Sequence, residues 1–212
     1  MSEDQNTKPI FFTENKPAAI RLWHWLSVLF LLGSLASVLF ASTLFRAKDN
    51  ISLVMEQVNR KGGTITKDQA MSVAHEYSDK LWMLHKYIGY GLAILLFWRL
   101  VTEVKVSKEK KISTRIRAAL AYHAGPEQNH YLLVQYGHLI FYSLFTLMAL
   151  TGLILAFEDQ QWLEPVHDTA KTVHSIIQYG LYAYLFVHVC GVIRADLTRY
   201  GGIVSRMING KN

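Results

Sequence analysis

Nine histidines occur in this chain of 212 residues. His24, His85, His138, His174 and His188 stand inside long apolar stretches. An ionisable side chain in such surroundings is costly and marks a functional position by default. Neutral imidazole binds metal through one ring nitrogen and also relays protons. Thiolate chemistry does not compete. The single Cys excludes an intrachain disulfide and a cysteine-built zinc or iron–sulfur site. Cys190 itself reads as a buried hydrophobe.

The elements that must position these rings are four apolar runs, each near the length of about 20 residues needed to span a bilayer. They predict helices at about 20–45, 81–104, 131–157 and 171–197. In lipid every backbone polar group must be satisfied internally, which leaves helices as the spanning form. The expected fold class is therefore an all-α integral membrane protein. It is a four-helix transmembrane bundle in a single domain, 1–212. The composition fits: 51% hydrophobic, 18% charged, with a mean hydropathy of +0.15 because polar loops dilute the spans. The polar N-terminus followed by a long first run predicts an uncleaved first helix.

The net charge of +6 is a matter of placement. Lys105, Lys108, Lys110, Lys111, Arg115 and Arg117 fill the 105–130 loop, and Arg194, Arg199, Arg206 and Lys211 follow the last span. The loop after the third span carries Glu158, Asp159, Glu164 and Asp168 against Lys171. The positive-inside rule then puts both termini and the 105–130 loop in the cytoplasm, and the 46–80 insert and the 158–172 loop outside. The implied location is a bacterial inner membrane, crossed several times. Membrane lipid is the expected neighbour of the basic patches. No nucleic-acid recognition motif accompanies them.

In the insert, Ile51, Val54, Met55 and Val58 share one helical face, and Gly62-Gly63 breaks that helix. Thr66 and Gln69 form a capping box ahead of Ala70, Val73, Ala74 and Tyr77. Two short amphipathic helices are expected in this first outer loop, resting on lipid or serving as a platform for an extrinsic partner.

Depth sorts the histidines. With alternating span direction, His24 and His188 lie in the inner leaflet, and His85 and His174 in the outer one. His174 and His188 are 14 residues apart, which returns to within about 40° of one helix face after about 21 Å of rise. Two stacked bis-histidine levels inside one bundle suit two haem b groups. Zinc fits less well, because it wants three or four ligands at one level. A transmembrane His that only hydrogen-bonds a neighbouring helix is the bland alternative.

His138 has several roles open: iron ligation, a propionate bond, a place near quinone, or helix packing. Arg21, Arg99 and Arg194 near the inner ends are candidate propionate partners or snorkelling anchors. Gly33, Ser34, Ala36, Ser37, Gly89 and Gly91 allow close approach of helices or of a macrocycle. His75 and His167 carry no assigned role.

Ile20–Phe30 reads IRLWHWLSVLF, Leu81–Leu100 reads LWMLHKYIGYGLAILLFWRL, and Leu147–Leu155 reads LMALTGLIL. His174 is followed by HVCGVIRADL at His188–Leu197 and SRMING at Ser205–Gly210. Through these segments the chain resembles the cytochrome b subunit of membrane-bound nickel–iron hydrogenases, and the wider group of formate dehydrogenase cytochrome b subunits and bacterial cytochrome b561. The resemblance implies two haem b groups ligated by His24, His85, His174 and His188. It also implies a quinone site near the cytoplasmic face, in the stretch from Tyr122 to His130. His123, Gly125, His130 and His138 are the quinone or proton-delivery candidates, although His123 and His130 can equally be solvated loop residues. The hydrogenase subunits carry His-Asn-Pro where this chain reads His130-Tyr131-Leu132.

The expected function is electron transfer across the membrane between a periplasmic, hydrogenase-like oxidoreductase and the quinone pool. The chain would be the electron-transfer subunit, with quinone reductase activity. The alternatives are a stand-alone cytochrome b561-type quinone oxidoreductase and the cytochrome subunit of another respiratory dehydrogenase or reductase.

Overall fold

A computed structural model describes residues 16–105, 111–121, 126–198 and 201–210. Every regular element among them is helical. The order is α1 (Ala18–Ser42), α2 (Ala47–Arg60), α3 (Lys67–Lys105), α4 (Ile112–Ala121), α5 (Pro126–Ala156), a 3-10 turn (Gln161–Leu163), α6 (Glu164–Leu197) and α7 (Ile203–Asn209). The helices α1, α3, α5 and α6 contain segments long and apolar enough to cross a membrane. They bury several polar side chains and expose many large apolar ones. Ser27, Ser37, Gln135 and Thr151 are buried, while Leu29, Phe97, Leu133 and Phe186 face outward. That distribution is expected where the solvent is hydrocarbon.

The chain divides into two compact units: Leu26–Leu95, and the flanking residues up to Trp25 and from Leu96 onward. In the Leu26–Leu95 unit, α1 ends in a turn closed by the Phe45 N–H on the Phe40 carbonyl. The Asn50 side chain donates to the Leu44 and Arg46 carbonyls at 2.9 and 3.0 Å, which launches α2. Gly62, at φ +78°, ends α2 in a conformation that glycine alone adopts without strain. The capping box forms as expected. The Thr66 N–H donates to Gln69 Oε1 at 2.9 Å, and the Gln69 N–H donates to Thr66 Oγ1 at 3.2 Å.

The helix that this box starts does not stop at the membrane. Residues 67–80 were expected to form a second, separate amphipathic helix, but α3 runs unbroken from Lys67 to Lys105. No Gly or Pro lies between Lys67 and Ile88, so the polar stretch marks where the helix leaves lipid and not where it ends. Its 39 residues are about 58 Å long, against a hydrocarbon core of about 30 Å. The 14 residues before Leu81 extend the span by about 21 Å. A helix continuing a span in this way cannot lie flat on lipid. Ala70 and Ala74 on it are buried, and the apolar face of α2 is half-buried.

In the other unit, α5 and α6 pack along each other, α4 packs on α5, and α7 on α6. Pro126 and Pro165 occupy first-turn positions, where a missing N–H costs nothing. These helices begin earlier than the apolar runs suggested, at 126 and 164 instead of 131 and 171. The helices α4 and α7 were not foreseen: both are short, and basic or polar residues interrupt their apolar pattern. The Trp25 indole donates to the Met207 carbonyl at 3.0 Å, tying α7 to the start of α1.

Candidate functional site

The histidines expected at the inner level meet. The His24 and His188 ring centres are 6.5 Å apart, with planes at 53°. Two imidazoles sharing one iron would place their ring centres about 6.2 Å apart, from about 2.0 Å per metal–nitrogen bond and about 1.1 Å from nitrogen to ring centre. His188 stacks on Tyr184 at 5.9 Å with only 11° between planes. Tyr184 is in turn 5.2 Å from Phe141, which adjoins the buried Phe145. The edge of Trp25 meets His24 at 5.2 Å. His24 Nδ1 is buried without a hydrogen-bond partner among the described residues, as is Ser27 Oγ. These two side chains are three residues apart on α1 and share a face. Orphaned polar atoms in a dry interior each cost about 1–3 kcal/mol, so such a pair signals a group that belongs beside them. Spacing, ring chemistry and orphaned atoms all fit a haem iron at this level.

His85 lies in the Leu26–Leu95 unit. Its Nδ1 is 3.1 Å from Ser37 Oγ and 3.4 Å from Ser34 Oγ, and the edge of Trp82 approaches at 5.8 Å. His174 lies in the other unit, with its Nδ1 2.9 Å from Thr151 Oγ1. A Cβ at Gly152 would stand 3.2 Å from His174 Cε1, so any side chain there requires this ring to give by a few tenths of an ångström. For both rings the Nδ1 atom is engaged, which assigns any metal to Nε2. A second residue that orients a ligating imidazole through its other nitrogen is the usual companion of such a ligand.

Among the cations, Arg99 is already neutralised. Its Nη2 is 2.8 Å from Glu103 Oε2, its Nε donates to the Tyr142 hydroxyl at 2.9 Å, and the guanidinium lies over the Tyr142 and Trp23 rings. Arg21 donates to the Lys16 carbonyl at 2.9 Å, and Arg194 is exposed. His138 faces outward from α5 and His130 is half-buried near its start. His123 and Gly125 lie outside the described residues. His167 is 3.4 Å from Asp168 and 3.9 Å from Glu158. Cys190 is exposed and not buried: two residues turn it about 200° around α6 from His188.

Sequence reasoning missed Glu103, Tyr184 and Thr151, and read Ser37 only as a small packing residue. The i,i+4 spacing of Arg99 and Glu103 was an available signal. A hydroxyl inside a span is not a specific one, because Ser and Thr there also serve ordinary helix packing.

The sequence profile of a family described as prokaryotic cytochrome b561 matches residues 16–210. No curated protein and no solved structure matches the chain. The family match spans both compact units and all four membrane-crossing helices. The chain therefore belongs to the prokaryotic cytochrome b561 family, and is a multi-pass membrane b-type cytochrome that binds haem and carries electrons across the membrane.

Proposed function

We propose that this cytochrome holds two haem b groups and passes electrons from a periplasmic, hydrogenase-like oxidoreductase to quinone in the bacterial inner membrane. The observation that carries the reading is the 6.5 Å spacing of His24 and His188 within a membrane-spanning region. His85 and His174 are the proposed ligands of the second haem. The depth match read from sequence supports them, and so does the engagement of Nδ1 in both rings.

Bound haem supplies one-electron ferric/ferrous chemistry. The chain's residues orient and insulate it. Tyr184 fixes the plane of His188, and Phe141, Phe145 and Trp25 keep water from the inner imidazoles. Arg21 and Arg194 are the proposed propionate partners, since Arg99 is paired with Glu103.

With both termini in the cytoplasm, electrons enter at the His85 and His174 level and leave at the His24 and His188 level. Quinone takes two electrons and two protons to become quinol. His123, Gly125, His130 and His138 are the proposed quinone-side and proton-delivery residues. The extension of α3 beyond the lipid favours an extrinsic partner over a stand-alone oxidoreductase. The test is a reduced-minus-oxidised spectrum of the purified chain beside its His24→Ala and His188→Ala variants. The expected result is b-type bands in the parent and loss of one haem in each variant. Unchanged haem content in both variants refutes the ligand assignment.

A further inference from the structure

A ligating imidazole is ordinarily held in plane by a bond from its other ring nitrogen. His24 has no such bond among the described residues, since its Nδ1 is buried without a partner. The edge of the Trp25 indole meets it instead, with ring centres 5.2 Å apart and planes at 89°. Consecutive residues on a helix point about 100° apart and do not face each other, so something must turn the indole towards His24. That group is on α7. The Trp25 Nε1–H donates to the Met207 carbonyl at 3.0 Å. Met207 stands in the last turn of α7, where carbonyls have no partner within the helix. Gly210, at φ +71°, caps that helix, and its N–H donates to the Arg206 carbonyl at 2.9 Å. Gly210 lies against the Arg21 guanidinium, into which a Cβ would collide. Arg21 and Trp25 are one turn apart on α1, so the end of α7 meets one face of α1 at two places. At the start of α7, the Val204 N–H donates to Asp196 of α6 at 3.3 Å. The short helix thus joins the helix that carries His24 to the helix that carries His188. All of these residues belong to one compact unit.

We propose that α7 is a clamp on the inner haem site, and that Trp25, fixed by the Met207 carbonyl, is a positioning residue that sets the plane of the His24 ring. This rests on the reading of His24 as an iron ligand. A tryptophan at the membrane–water boundary is often only an anchor, with its N–H turned to water or headgroups. Here the indole N–H is bonded to a carbonyl 182 residues away, and the ring edge is turned to the neighbouring imidazole. The two imidazoles of this level stand at 53° to each other, and Tyr184 supports the His188 side by stacking. The Trp25 clamp supports the His24 side, so each of the two planes has its own brace.

The test is electron paramagnetic resonance of the oxidised, full-length purified chain, because the low-spin ferric signal depends on the angle between the two axial imidazole planes. His24→Ala identifies the signal of this haem by loss. Trp25→Phe keeps an aromatic ring beside His24 and removes the donor. It should shift and broaden that signal, with haem content at the parent level. Ile208→Pro reaches the same bond from α7. Ile208 is exposed, and a proline there pushes Met207 out of helical geometry and re-aims its carbonyl. It should reproduce the Trp25→Phe signal, and Ile208→Ala should match the parent. The double variant Trp25→Phe/Ile208→Pro should move the signal no further than either change alone. If His24→Ala leaves the ferric signal as in the parent, the ligand reading fails and the clamp with it. If His24→Ala removes the signal but Trp25→Phe or Ile208→Pro leaves it unmoved, or if the two shifts add, the clamp is overturned while the ligand reading stands.

Discussion

Glu103→Gln is expected to destabilise the protein, and the double variant Arg99→Leu/Glu103→Leu to recover most of the loss. The Arg99 and Glu103 side chains are 13% and 29% exposed and meet at 2.8 Å. Removing one partner of a buried ion pair costs about 3–5 kcal/mol, because the other charge stays behind uncompensated. The partial exposure of Glu103 and the retained bond from Arg99 to Tyr142 place the change at the lower end, about 3 kcal/mol. At about 2–4 °C per kcal/mol for a chain of this size, the unfolding midpoint should fall by about 6–12 °C. The double leucine variant removes both charges of this pair together and should unfold within about 1 kcal/mol of the parent. The assay is thermal unfolding in detergent micelles followed by far-ultraviolet circular dichroism, with haem content measured in parallel. A Glu103→Gln protein as stable as the parent refutes the pairing energetics. A double variant no better than the single one shows that Arg99 serves another anion, and a haem propionate is then the first candidate.

Gly152→Val should cost the chain one haem while its helix content holds. A Cβ at Gly152 would already stand 3.2 Å from His174 Cε1, so the valine methyl groups would drive the ring from Thr151. The smaller Gly152→Ala change should keep both haems, and a pyridine haemochrome assay separates the two outcomes. Ala70→Leu overpacks a fully buried position at a cost of about 1–3 kcal/mol. It should speed proteolysis in the 61–66 turn without changing haem content, whereas the exposed Val73→Leu should behave like the parent.

The spans were legible because hydrocarbon demands long apolar helices and the runs leave no other structure. The Thr66 and Gln69 cap and the break at Gly62 were legible because both are local, decided within four residues. The meeting of His24 and His188 was legible too, since helix rise converts sequence distance into position along a span. The extent of α3 was not. Composition marks the lipid boundary, while helix continuity depends on the absence of a breaker, and the polar residues 67–80 hid that. The imidazole partners were hidden for another reason. Ser34, Ser37 and Thr151 are distant in sequence from the rings they hold, and a hydroxyl inside a span has no signature that separates a ligand's anchor from helix packing. Arg99 stood as a candidate propionate partner or snorkelling anchor, although Glu103 is one helical turn away on the same face.

The central claim is two haem b groups in one chain. It is tested most directly by the haem-to-protein ratio of the purified wild-type protein, with haem measured as pyridine haemochrome and protein by amino-acid analysis. Two haems per chain is the predicted result. A ratio of one, with the protein fully folded, would contradict the two-level arrangement, and the absence of b-type haem would contradict the account as a whole.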